Sequence, residues 1–159
     1  MVWKIISGAQ TGVDRAALDA AMSLGIATGG WVPAGRLAED GVIPVRYETL
    51  VETGSSDYEV RTVRNVRDAD ATLILNVDAL TGGTLFTQEV AMQQSKPCLV
   101  VQLDGAPSVA GIGDWLNEIQ PDVLNVAGPR ESGRPGVHDQ AYHFILQLCE
   151  WLSEHRSTE

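Results

Sequence analysis

Positive charge is scarce in this sequence. Eleven Lys and Arg stand against 21 Asp and Glu, for a formal net charge of -10 and a pI near 4.6. A polynucleotide-binding face needs clustered basic residues to neutralise phosphates, so nucleic acid is not an expected partner. Cysteine is scarcer still. Cys98 and Cys149 have no CxxC neighbour, and His138, His143 and His155 do not fall at ligand spacing from them or from one another. A disulfide framework and a protein-ligated metal are therefore not expected, and free thiols in a reducing compartment are. No apolar run reaches the roughly 20 residues that span a bilayer. Residues 1–7, MVWKIIS, lack the basic leader, apolar segment and small-residue cleavage site of a signal peptide, so a cytoplasmic protein that does not engage membranes is expected. The chain also lacks GxSxG, a Ser or Cys with an evident His–acid pair, and the Lys-Ser/Thr ending of a Walker loop. Acyl transfer from a nucleophile elbow and triphosphate hydrolysis lose their main support.

What is present is an ordinary globular composition: 159 residues, 44% hydrophobic and 20% charged, with 16 Gly and 7 Pro. One compact domain over residues 1–159 suits that length, and intrinsic disorder does not suit that composition. The few basic residues are unevenly placed. Nine are arginines, and Arg15, Arg36, Arg46, Arg61, Arg64 and Arg67 all precede residue 68. Arginine favours bidentate recognition of phosphate or carboxylate, which suits a small anionic ligand; any single arginine could equally lie on a solvated helix face.

Apolar runs alternate with segments of helical spacing along the chain. That pattern predicts an α/β fold: a Rossmann-like three-layer sandwich with a five-stranded, mainly parallel sheet and helices on both faces. The expected strands are 3–7, 26–30, 71–76, 98–103 and 123–126, in the order 2-1-3-4-5. Helices are expected over 13–24, from Ser56 to about 69, over 84–94, 112–119 and 137–155. Ser56 with Glu59 reads as a capping box. Residues 31–57 show little periodicity but carry Pro, Gly, aromatics and charge, as an ordered binding loop would.

Four places could carry chemistry. The turn from Gly8 to Gly12, between a strand end and a helix start, offers backbone N–H groups to an anion, with Gln10, Thr11 and Asp14 as polar contacts. A tight turn that only packs helix on sheet reads the same way. Thr81-Gly82-Gly83-Thr84 repeats the arrangement after the third strand, and Thr84 could simply cap its helix. If strands one and three are neighbours, the two turns flank a crevice at a topological switch point. Trp31 and Arg36 on the Gly/Pro-shaped loop suit a flat ring bearing anionic groups, or Trp31 is a hydrophobic plug. Arg130 follows the last strand, on the ligand side of an open α/β sheet. Asp14, Glu39 and Asp40 are the candidate general bases.

Taken in order, ISGAQTGVDRAALDAA, GGWVPAGRLAEDG, RTVRNVRDADATLIL, GGTLFT, KPCLVV and LNVAGPRES resemble the molybdenum carrier family, the molybdenum cofactor carrier proteins, from Ile5 to about Gly136. That family belongs to a wider Rossmann-like group with the phosphoribohydrolases of cytokinin activation and the DNA-processing protein A family. The resemblance implies a homo-oligomer, often a tetramer, that holds the anionic pterin cofactor of molybdenum enzymes, molybdopterin with its metal, as cargo. It implies ligand contacts from Gly8, Gln10, Thr11, Gly12 and Asp14 in the first turn, and from Arg36, Glu39 and Asp40 in the long loop. Arg61 and Asn65 follow on the next helix, then Gly82, Gly83 and Thr84, and finally Arg130 and Glu131.

One departure bears on turnover. The phosphoribohydrolases carry GGxGTxxE with a catalytic glutamate; here Thr87 takes that place and Glu89 comes two residues late. On a helix that offset turns a side chain by about 200°. The expectation is a binding and carrier protein for molybdenum cofactor or a related phosphorylated pterin, without catalytic turnover. The alternatives are a phosphoribohydrolase-like hydrolase of a nucleotide ligand, with Asp14, Glu39 or Glu89 as base, and a nucleotide-sensing domain.

Overall fold

The structure is a computed structural model and describes residues 2–156. β1 (Lys4–Ile6) leads through a tight turn into α1 (Val13–Ser23), and β2 (Ala27–Val32) follows. A two-residue hairpin of β3 (Leu37–Ala38) and β4 (Gly41–Val42) precedes β5 (Leu50–Glu52) and α2 (Tyr58–Asp68). Next come β6 (Ala71–Asn76), α3 (Gly82–Gln93), β7 (Cys98–Gln102), α4 (Val109–Ile119), β8 (Val123–Ala127) and α5 (Val137–Glu154). Among these helices none is long and apolar enough to cross a membrane.

The α/β architecture and the parallel sheet agree with the sequence reading, but the sheet differs in size and order. It has six parallel strands, β5-β2-β1-β8-β6-β7, rather than five in the order 2-1-3-4-5. The last strand is inserted at the centre, where Leu124 pairs in register with Ile5 on one side and Ala71 on the other. Burial explains the placement. Leu124, Asn125 and Val126 are buried on both faces, as a central strand requires, whereas Cys98, Leu99 and Val100 of the edge strand β7 are only half-buried. The added strand, β5, is three residues long and half exposed, too short to show a period in sequence.

Helices α1, α4 and α5 cover one face. Ile5, Leu73, Leu75, Leu124 and Val126 of the sheet pack there on Ala16, Ala17, Ala20 and Ala21 of α1, Ile112 and Leu116 of α4, and Phe144, Ile145 and Leu148 of α5. The alanine stripe lets α1 lie close to both sheet and α5. Helices α2 and α3 lie together on the other face around Val66, Val90 and Ala91. The helix expected to start at Ser56 is capped instead by Asp57, whose carboxylate accepts from Glu59 N at 2.9 Å.

The segment read as a loop from 31 to 57 is ordered and has its own small core of Ala9, Leu18, Val32, Ala38, Ile43 and Tyr47. Polar ties anchor it to α1. Asp19 accepts from Tyr47 Oη at 2.7 Å and from Arg46 Nη1 at 2.8 Å, and Arg15 forks onto both oxygens of Asp40 at 2.6 and 2.8 Å.

Candidate functional site: an arginine-lined cavity at the strand ends

The C-terminal ends of β1, β6 and β8 open into a cavity of about 970 Å³. Its floor is the first turn, with Gln10 and Asp14; Tyr58, Arg61 and Thr62 of α2 form one wall. The β6–α3 turn from Asn76 to Thr84 and the β8–α5 segment from Ala127 to Arg134 supply the rest.

The turn geometry follows from its small residues. Ser7 Oγ donates to Asp14 O at 2.9 Å and accepts from Ala9 N at 3.2 Å, which closes the loop on the helix start. Gly12 has φ of +80°, and a Cβ there would lie 2.4 Å from the Pro129 carbonyl oxygen, so glycine lets the β8–α5 segment dock on the turn. At Gly8 the neighbour is a side chain: a Cβ would lie 2.4 Å from Nη1 and 2.6 Å from Cζ of Arg61. The guanidinium of Arg61 rests directly on the Gly8 backbone.

Arg61 is poorly satisfied for a buried cation. Its Nη1 donates to Thr62 Oγ1 at 3.1 Å, and its buried Nε has no acceptor among the described residues. Its guanidinium carbon lies 5.5 Å from the Tyr58 ring centroid, and that of Arg130 lies 5.2 Å from the same ring. Neither arginine makes an ion pair among the described residues. Burial holds the Arg61 guanidinium below its ordinary value; nearby Asp14 opposes this and the like charge of Arg130 adds to it. Asp14 is itself buried, with a hydrogen bond from Gln10 N at 3.2 Å. Burial pushes its carboxyl up to about 6, against the pull of Arg61, the Gln10 N–H, Arg130 and Arg15. The site thus places two arginines that make no ion pair among the described residues, and a buried carboxyl raised above its ordinary value, around one cavity.

Across the cavity α3 presents a bare N-terminus. Thr81 at its N-cap makes no side-chain capping bond, and a Cβ added at Gly82 or Gly83 would meet only open space. The first amides of the helix are open to an anion there. The turn before it is pinned by Asn76 Nδ2 and Gln102 Nε2, which donate to Asp78 O at 2.8 and 2.9 Å. An ion pair between Arg134 and Asp78, at 2.5 Å, joins the β8–α5 segment to this turn.

Residues 5–149 match the model of the circularly permutated YpsA SLOG family. The chain belongs to this family. A solved crystal structure, of a protein from Syntrophus aciditrophicus SB described as a "putative molybdenum carrier protein", is 44% identical over 94% of this chain and 93% of its own, with a TM-score of 0.85. Both findings agree with the resemblance read from the six sequence blocks. Among curated proteins none matches.

In this member of the family Gln10, Asp14, Arg61, Gly82, Gly83, Thr84 and Arg130 come together at the cavity, with Gly8 directly beneath Arg61. The other expected contacts do not line it. Trp31 donates from Nε1 to Asp68 at 2.8 Å and lies under the guanidinium of Arg64. Asn65 clamps the same strand, accepting from Trp31 N at 2.7 Å and donating to Trp31 O at 3.0 Å. Arg36 donates to the carbonyls of Ile43, Pro44 and Tyr47 at 3.3, 2.8 and 3.2 Å, so it braces the long segment.

Thr11, Gly12, Glu39, Asp40 and Glu131 stand behind the cavity wall. Glu39 accepts from Thr11 Oγ1 and from Ser132 N at 3.2 Å, and Thr11 Oγ1 accepts from Glu131 N at 3.2 Å. Glu39 is exposed, and against desolvation the bonds from Ser132 and Thr11 hold it below the usual carboxylate range. Glu131 turns away to accept from Gly136 N at 2.5 Å and His138 N at 3.0 Å, which caps α5. These ties hold the segment that carries Arg130 and Arg134. Sequence reasoning missed Tyr58, Asn76, Asp78 and Arg134 in the lining. The Gly/Pro-rich charge of 127–135 could have pointed to Arg134; Tyr58 carries no comparable signal.

Proposed function

We propose that the cavity binds a small phosphorylated, ring-bearing anion and that the chain carries it without turnover, as molybdenum cofactor or a related phosphorylated pterin. The observation behind this reading is the pair Arg61 and Arg130, two guanidiniums around one Tyr58 ring with no ion pair among the described residues, facing the bare N-terminus of α3. Crowding like charges in a partly buried wall is unfavourable until an anion arrives. A phosphate supplies that charge and accepts from helix amides and guanidiniums together. The description of the Syntrophus protein as a molybdenum carrier supports the choice of cargo. Among the described residues no group of three or more His, Cys, Asp and Glu is placed to hold a metal ion.

Hydrolysis of a nucleotide ligand has one observation in its favour, the Asp14 carboxyl near 6 inside the cavity. Against it, Thr87 lines the cavity with its hydroxyl tied to Gly83 O at 2.9 Å, while Glu89 is exposed and lies outside the lining. Native mass spectrometry of protein purified from cells that make molybdenum cofactor tests the two readings. The expected result is about one phosphorylated pterin per chain, lost in an Arg61→Met/Arg130→Met variant. Release of ribose 5-phosphate from AMP over many turnovers would overturn the carrier reading.

A further inference from the structure

Among the described residues, the floor of the cavity holds a buried donor with no acceptor beside a buried carboxyl that makes no ion pair. Gln10 Oε1 accepts from Thr11 N at 3.1 Å and from Glu39 N at 2.8 Å. Those two backbone donors fix the orientation of the amide, because a flipped group would set N–H against N–H. Nε2 is therefore the atom left over, a buried donor with no acceptor among the described residues. Beside it, Asp14 accepts from Gln10 N and enters no ion pair among the described residues. Both side chains line the cavity.

We propose that Gln10 and Asp14 read the ring of the ligand, and that the ring they select presents a carbonyl beside a ring N–H and an exocyclic amine, the 2-amino-4-oxo edge common to guanine and pterins. This rests on the reading that the cavity holds a phosphorylated ring compound. The carbonyl accepts from Gln10 Nε2, and the two N–H groups donate to the two oxygens of Asp14. The dianion of a phosphate monoester does not suit this place, since it carries acceptors only and would oppose the Asp14 carboxylate. Adenine offers one N–H beside a ring nitrogen and leaves half of the carboxylate unmatched. Xanthine replaces the amine with a carbonyl and sets lone pairs against the carboxylate.

The sheet order gives the ligand two ends. Because β8 lies between β1 and β6, the first turn and the β6–α3 turn are separated by two strand spacings, about 10 Å. One phosphate cannot touch both turns. A molecule with its ring at Gln10 and Asp14 and its phosphate at the α3 amides can, with Arg61 and Arg130 along its length.

Isothermal titration calorimetry with GMP, XMP, AMP and inorganic phosphate tests this at about pH 7.5. An unmatched buried polar group costs about 1–3 kcal/mol, so GMP should bind about 10-fold or more tightly than AMP or XMP. Asp14→Asn, of nearly the same shape, should reverse the ranking of GMP and XMP, because the amide N–H can donate to the added carbonyl. Gln10→Leu should weaken GMP by about 10-fold and leave inorganic phosphate unchanged. Affinities for GMP, XMP and AMP within about threefold of one another in the unaltered protein would overturn the proposal, and so would an Asp14→Asn variant that still favours GMP. If Asp14→Asn fails to fold, the ranking in the unaltered protein decides alone. Failure of every monophosphate and of inorganic phosphate to bind would overturn the anion-binding reading itself.

Discussion

Gly8→Ala should disarm the cavity while leaving the fold intact. Gly8 needs no left-handed backbone, so alanine meets no conformational penalty there. Its Cβ would stand 2.4 Å from Nη1, 2.6 Å from Cζ and 2.9 Å from Nε of Arg61, and something must move. The obstacle is the end of a flexible side chain whose one described hydrogen bond goes to Thr62 Oγ1, and it makes no ion pair among the described residues. Arg61 should therefore swing off the turn. Losing a charge-assisted contact costs about 1.5–3 kcal/mol, equivalent to roughly 10- to 150-fold weaker binding of GMP. Stability should change by less than about 1 kcal/mol, since alanine lowers the entropy of the unfolded chain and the displaced Nε regains water. Calorimetry gives the affinity and thermal unfolding the stability. In an Arg61→Met background the same Gly8→Ala change should cost almost nothing, so the two effects are strongly non-additive. Unchanged affinity in the single variant, or the same loss in both backgrounds, would refute the coupling.

Three further outcomes are expected. The Asp14 carboxyl at about 6 lies above its ordinary 3.8, so the native state binds the proton more readily and stability falls as pH rises between those values. The cost, up to about 3 kcal/mol, is complete above pH 6; Asp14→Asn should unfold at higher temperature than the parent at pH 7 and at nearly the same temperature below pH 4. Arg36→Ala should speed amide hydrogen exchange around Ile43 and Tyr47 and leave GMP affinity unchanged; a drop in affinity would return Arg36 to the ligand. His138, partly buried, is held above its ordinary value by Asp19, which accepts at 2.8 Å, and by Asp139. Its stabilisation is present below the ordinary histidine value and lost as pH rises through the higher folded one. His138→Gln should therefore lower stability near pH 5.5 by under about 1 kcal/mol and have no effect at pH 8.5, measured by thermal unfolding.

Much of the cavity was legible because its parts are local. Gly8, Gln10 and Asp14 occur within one strand–turn–helix junction, and Gly82, Gly83 and Thr84 within another; such junctions announce themselves by glycine after an apolar run. Arg130 stood out as a charge just past a strand. Arg36 and Trp31 carried the same kind of signal and are used elsewhere, Arg36 on three carbonyls of its own segment and Trp31 on α2. A side chain's neighbours 11 residues away across a short hairpin and a loop, such as Arg36 and Tyr47, follow from no periodic rule.

The sequence by itself determined the alternation of strands and helices, the apolar stripe of α1, the two glycine-bearing turns and the scarcity of basic charge that argues against polynucleotides. Each is fixed by short-range physics: burial period, backbone freedom and charge count. Only the tertiary structure decided that β8 lies between β1 and β6, that β5 extends the sheet, and that Arg61 from α2 lands on Gly8 beside Arg130. Strand order depends on which faces are covered when α4 crosses back over the sheet, and the hydrophobic pattern of a strand is nearly the same at either central position. The same crossing sets the distance between the two turns, and with it the length of molecule that the cavity can hold.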